Sequence, residues 1–241
     1  MRKADDRHPG PPPYRLRLAA LGWLLPPAAL AVPAVRAGLP AVSRLFVEPS
    51  TWHITRAAGI MAYLFLWLAA VTGLLLSSRL LGLAAPPPLL GAAHQWGAAW
   101  SLYATVVHAV ILRYDHWVSF RWPDILLPFA STYRTGAVAL GVYALYALVG
   151  VQVTSYLRAR LGVATWRLAH ALSVPAYVLA LAHGVWAGTD TAQPWVQALY
   201  WSTGSVFAFL LLARLLLTRG ARAGGGAPGG RHGEGTAPTA R

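Results

Sequence analysis

Cysteine is absent from the 241-residue chain, which removes disulfides, iron–sulfur clusters and thiolate ligation of a haem iron. Charge is scarce as well. Only 11 % of residues are charged and 7 are acidic, where a soluble globular domain carries roughly a quarter charged residues. The one match to G-x-G-x-x-G, Gly224 to Gly229, falls in a Gly- and Pro-rich tail and not at a strand-to-helix turn, and no Walker-type phosphate loop occurs, so no dinucleotide or nucleotide fingerprint is present. Nor does a repeat of roughly 20 to 50 residues stand out.

Apolar length takes the place of charge. Hydrophobic residues make up 56 % of the chain, and the mean hydropathy is +0.49. Six stretches carry no charge: Leu18–Val35 (18 residues), Ala57–Ser78 (22), Leu89–Leu112 (24), Thr135–Leu157 (23), Leu168–Thr189 (22) and Thr191–Ala213 (23). A transmembrane helix needs about 20 mostly apolar residues, and five of the six exceed that. Leu18–Val35 is shorter and carries Pro26, Pro27 and Pro33; with Arg36 following, it fits a cleaved signal peptide poorly. The expected fold is all-α, an integral membrane six-helix bundle over residues 17–218. Disordered cytoplasmic tails are expected at 1–16 and 219–241, where charge, proline and glycine dominate.

The net charge of +13 raises nucleic acid as a partner, but its distribution argues for lipid instead. With six spans, the termini and the even-numbered loops share one side. That side carries 14 of the Lys and Arg residues and the other carries 6. This alternation follows the positive-inside rule, so the chain is expected to be multi-pass in the cell (inner or plasma) membrane with both termini cytoplasmic. A basic nucleic-acid surface would not alternate in this way.

The connections have characters of their own. Pro86, Pro87 and Pro88 are expected to release the third helix at about Leu89. The segment from Arg113 to Arg134 is rich in aromatics (Tyr114, Trp117, Phe120, Trp122, Phe129, Tyr133) and is expected to lie on the outer surface. The loop around Gly188-Thr189-Asp190 is short, so the helices on either side of it are antiparallel neighbours.

Four histidines fall inside apolar stretches: His94 and His108, 14 residues apart, and His170 and His183, 13 apart. An ionisable side chain at membrane depth is costly and marks function by default. Imidazole is also the commonest transition-metal ligand and an axial ligand of haem iron. Both helices run from cytoplasm to outside, so His94 and His170 share the inner depth and His108 and His183 the outer. At about 1.5 Å rise per residue the levels lie about 20 Å apart, which rules out one shared four-histidine metal site. Two separate bis-histidine sites fit. His94 and His108 share a face, being roughly 40° apart, whereas His170 and His183 are roughly 140° apart on a straight helix. Pro175 lies between them and removes a backbone bond, allowing the helix to bend or change winding.

Three arginines are candidates to hold the anionic propionates of such a cofactor: Arg56 and Arg113 at the outer boundary and Arg167 one turn below His170. Each also reads as an interfacial charge. Gly59, Gly73, Gly97 and Gly184 could admit a flat macrocycle, or simply pack helices. His53 and His116 read as interfacial histidines, and His8 and His232 as solvated residues of the tails.

The run Trp166-Arg167-Leu168-Ala169-His170, then Ala171-Leu172-Ser173-Val174-Pro175-Ala176-Tyr177 and His183-Gly184, together with the His94/His108 pair, resembles the ferric-reductase-like transmembrane domain. That superfamily includes the membrane parts of ferric reductases and NADPH oxidases and the haem-binding subunit of the periplasmic methionine-sulfoxide reductase system. Arg56 to Tyr63, Pro123 to Phe129 and Gly188-Thr189-Asp190 resemble its stand-alone bacterial members, and the likeness spans roughly residues 50–215. The resemblance implies a six-helix bundle holding two b-type haems and passing single electrons across the membrane. The family also carries a 13-residue gap on its fifth helix. This chain departs from the better-known members in having only about two dozen residues after its last span, too few for a FAD/NAD(P)H module. The expected donor is then a quinol or a separate flavoprotein, and the acceptor a ferric chelate or an extracytoplasmic redox partner. Two alternatives differ in class. One is a haem-free transporter or assembly subunit whose histidines relay protons or bind metal. The other is a haem-binding anchor with catalysis in a partner.

Overall fold

The computed structural model describes residues 50–78, 86–115 and 118–224. The expected first span Leu18–Val35, both tails, His8, His116, Trp117 and His232 lie outside the described residues. Every regular element among the described residues is helical: α1 (Ser50–Ser78), α2 (Pro87–Arg113), α3 (Trp122–Leu126), α4 (Thr135–Tyr156), α5 (Arg158–Leu161), α6 (Val163–His170), α7 (Ser173–Ala187) and α8 (Pro194–Gly224).

Among the described residues, four segments are long and apolar enough to cross a membrane: Thr51–Ser78, Thr135–Tyr156, Val163–Ala187 and Pro194–Leu217. Helix α2 is as long but less apolar, because His94, Gln95 and His108 interrupt it. The outward faces are apolar. Leu168, Trp201 and Phe209 are 78 %, 77 % and 70 % exposed, the reverse of a soluble surface and the pattern of helices that meet lipid.

Helix α1 packs along α2 and also meets α7 and α8, while α4 packs on α7 and α6. The histidines lie on α2, α6 and α7, and α2 makes no substantial packing contact with α6 or α7. Helices α1 and α4 each pack against both α2 and α7. The α1–α2 contact is tight because Gly97 presents no side chain: a methyl group there would lie 3.0 Å from the Phe65 carbonyl oxygen. The fully buried Ser101 donates to Ala62 O at 3.1 Å, and Gln152 of α4 donates to Ala98 O of α2 at 2.6 Å.

At mid-bundle sits a core of Tyr63, Leu66, Leu74, Leu148, Tyr177, Phe207 and Leu210. Its polar centre is the Tyr63 hydroxyl, 2.9 Å from that of Tyr177 and 2.6 Å from Thr203 Oγ1.

Several helix ends differ from the sequence expectation. Helix α2 starts at Pro87, not near Leu89, because prolines are tolerated in a first turn whose amides have no helical partner. Helix α8 continues to Gly224, beyond the expected boundary at 218, through Arg and Ala, which are good helix formers. The chain turns from α5 into α6 at Gly162, whose φ of 77° suits glycine alone. Arg134 donates to the carbonyls of Trp186 (2.8 Å) and Gly188 (3.4 Å), pinning the start of α4 to the end of α7.

Candidate functional site: two histidine pairs across the bundle

The four histidines meet as two pairs. His94 and His170 stand edge to face with ring centroids 5.9 Å apart, and His108 and His183 do the same at 6.4 Å. Helix α2 supplies one ring at each level. At the other face, α6 supplies His170 and α7 supplies His183.

The mismatch across the 13-residue gap is absorbed where α6 ends and α7 begins. Pro175 has no amide to give Ala171 O, and the chain tightens there. Leu172 N bonds Ala169 O at 3.1 Å and Val174 N bonds Ala171 O at 3.2 Å, both three-residue steps. Winding of this kind turns about 120° per residue instead of about 100°, so four such residues recover about 80° of the roughly 140° deficit. The regular helix is interrupted at the same place, α6 ending at His170 and α7 starting at Ser173.

Three of the rings are held in one way. Nδ1 of His94 lies 2.8 Å from Ala69 O, Nδ1 of His108 lies 2.8 Å from Thr55 O, and Nδ1 of His183 lies 2.8 Å from Ala137 O. A carbonyl only accepts, so each Nδ1 carries the proton and each Nε2 keeps its lone pair. In every case a glycine sits four residues after the carbonyl: Gly73, Gly59 and Gly141. In a helix the amide of residue i+4 bonds the carbonyl of residue i, so the glycine leaves the second lone pair of that carbonyl open to the imidazole. A methyl group at Gly59 or Gly73 would lie 3.1 Å from the ring it faces, and one at Gly141 only 2.7 Å. Gly59 and Gly73 therefore seat histidines, Gly97 packs helix on helix, and Gly184 lets the Tyr200 hydroxyl approach. Gly141 carries no sequence signal of its own, since its partner lies in a helix far along the chain.

The fourth ring is held differently. His170 Nδ1 is 3.4 Å from Ser155 Oγ, and Ser155 Oγ accepts from Trp166 Nε1 at 3.3 Å. The Trp166 indole stacks on His170 (5.0 Å, 30°), and the Arg158 guanidinium lies 4.2 Å above the indole.

A cavity of about 220 Å³ opens beside the His108–His183 pair, whereas a single water needs roughly 10–15 Å³. His108, His183, Gly59 and Gly141 line it, together with Arg56, Asp190 and Tyr200. The aromatic segment does more than lie on the surface: buried Phe120 and Ile125, with Tyr133, close one wall. The short α3 is fixed at its start by Asp124, whose Oδ2 accepts from both Arg121 N (2.8 Å) and Arg121 Nε (3.2 Å). The Arg121 guanidinium holds the Asp124 carboxyl below the usual carboxylate range.

Of the three candidate arginines, the structure brings Arg56 alone to a histidine pair. It is ion-paired with Asp190 at 2.8 Å. Its Nε and the neighbouring Thr55 Oγ1 are buried without a hydrogen-bond partner among the described residues. Arg113 and Arg167 are exposed at the ends of their helices and do not line the cavity. His53 is exposed at the start of α1.

Among the described residues no three His, Asp or Glu side chains converge as ligands for a metal ion. A structural zinc site needs about four protein ligands, whereas a haem brings its own equatorial nitrogens and asks for two axial ones. With metal–nitrogen bonds of about 2 Å and about 1.1 Å from nitrogen to ring centre, two axial imidazoles have centroids roughly 6.3 Å apart. Both pairs sit near that value. The donor set, the glycine seats and the unpartnered Arg56 Nε fit the group. Comparison with protein-family models, curated proteins and solved structures returns no match for this chain.

Proposed function

We propose that this protein is a membrane cytochrome b. It would hold one b-type haem between His94 and His170 and a second between His108 and His183, and pass electrons across the membrane. In this reading Leu18–Val35 supplies a further span and α2 crosses despite its polar residues, giving the six-helix bundle of the ferric-reductase-like domain that the sequence resembles. The single observation that carries the proposal is the pair of edge-to-face imidazoles at two depths, 5.9 and 6.4 Å apart.

A bound haem supplies a reversible one-electron couple, and the rest falls to the residues of the chain. The carbonyls of Ala69, Thr55 and Ala137 fix the tautomer that leaves Nε2 free. Arg56 offers a cation to a propionate at the outer level, while the Trp166–His170 stack reaches from the inner pair toward the cytoplasmic basic end. The donor is a quinol or separate flavoprotein, and the acceptor a ferric chelate or an extracytoplasmic redox partner.

Protein purified after haem-replete expression is expected to give the reduced-minus-oxidised spectrum of low-spin haem b. Absence of haem from such a preparation overturns the proposal. It would favour a haem-free membrane protein whose histidines relay protons or bind metal.

A further inference from the structure

The two halves of the bundle repeat one design. On α1, Gly59 and Gly73 are 14 residues apart and seat His108 and His94. On α4, the residue 14 positions after Gly141 is Ser155, and Ser155 is the residue that His170 meets. Ser155 thus occupies the fourth seat. Its side chain stands where the other seats are open, and the carbonyl four residues before it, Val151 O, takes Thr154 Oγ1 at 3.2 Å and not an imidazole. Three rings have a carbonyl at 2.8 Å; His170 has a hydroxyl at 3.4 Å, at the long limit of a hydrogen bond, already accepting from an indole N–H.

We infer that Ser155 is a positioning residue that sets the reduction potential of the inner site apart from that of the outer, an inference that rests on the haem reading above. A strong acceptor on Nδ1–H makes an axial imidazole more basic, which favours the oxidised iron and lowers the potential. His108 and His183 both have such an acceptor. At the inner level only His94 has one, so the inner site stands at a higher potential than it would with glycine at position 155.

Two substitutions move this effect in opposite directions. Ser155→Gly opens the seat, lets His170 take a carbonyl as the other three do, and lowers the inner potential. Ser155→Ala removes the hydroxyl without opening the seat and raises it. Trp166→Phe keeps the ring stack, releases the hydroxyl from the indole N–H, and lowers the inner potential.

The experiment is an equilibrium redox titration of full-length protein followed by visible absorption. His108→Ala, which empties the outer site, assigns the two midpoints. The expected result is an inner midpoint displaced down by Ser155→Gly and up by Ser155→Ala, with the outer midpoint unmoved. Displacement of the inner midpoint in the same direction by both, no displacement by either, or an equal displacement of both midpoints overturns the role of Ser155. Should the Ser155 variants lose the inner haem, Trp166→Phe decides: an unchanged inner midpoint there overturns it too. A wild-type protein without haem counts against the haem reading, not against Ser155.

Discussion

His183 lies so close over Gly141 that a methyl group on that glycine would sit 2.7 Å from the imidazole. The backbone of α4 cannot yield there without breaking its own ladder, so the ring must move, and its bond to Ala137 O at 2.8 Å goes with it. Gly141→Ala is expected to take haem content from about two to about one per chain by emptying the outer site. Gly59→Ala and Gly73→Ala, with contacts of 3.1 Å, need shifts of only a few tenths of an ångström and are expected to lower occupancy without abolishing it. Haem per chain, with circular dichroism as a check on helix content, orders the three.

The buried tyrosine network gives a stability prediction. Tyr63 bonds both Tyr177 and Thr203, and Tyr177 is wholly inaccessible. Tyr177→Phe leaves the Tyr63–Thr203 bond in place and should cost about 1 kcal/mol. Tyr63→Phe removes both buried bonds of the Tyr63 hydroxyl, to Tyr177 and to Thr203, and should cost about 1–3 kcal/mol. Thermal unfolding in detergent should rank Tyr63→Phe below Tyr177→Phe, and the double variant should cost less than the sum because the two share one bond.

Arg56 and Asp190 form a partly exposed pair, 34 % and 22 % accessible, so breaking it should change stability by only about 0–1 kcal/mol. Its effect on the outer site is expected to be electrical. Arg56→Ala removes a cation from the cavity wall and should lower the outer midpoint potential, whereas Asp190→Asn removes an anion and should raise it. Redox titration reads both signs, and midpoints that stay fixed would place Arg56 outside the site.

The cap on α3 carries a pH dependence. The Asp124 carboxyl is held below its ordinary value of 3.8 by Arg121, so the cap is fully present above that value and is lost as pH falls below it. The emission of Trp122, half-exposed on this helix, should change over that acidic window and stay constant from pH 5 to pH 8. Asp124→Asn should give the acid-type emission at neutral pH.

Much of this arrangement was legible in the chain. Uncharged runs located the long helices, and equal depth on two parallel helices paired His94 with His170 and His108 with His183. What stayed hidden depends on contacts between distant segments. The roughly 140° misfit of His183 is relieved by three-residue steps at Ala169–Val174, which proline permits but does not dictate. Gly141 and Ser155 become meaningful only once α4 lies against α6 and α7. Arg113 and Arg167 were indistinguishable from Arg56 by position along the chain; Asp190, brought back by the short loop before α8, draws Arg56 to the cavity.

The most direct measurement is haem per chain, by extraction and visible absorption, for the wild type and for single replacements of the four histidines. The account predicts about two haems in the wild type and about one in each variant. His108→Ala and His183→Ala should share one residual spectrum and midpoint, and His94→Ala and His170→Ala another. A wild type without haem, or four variants that lose haem indistinguishably, would contradict it.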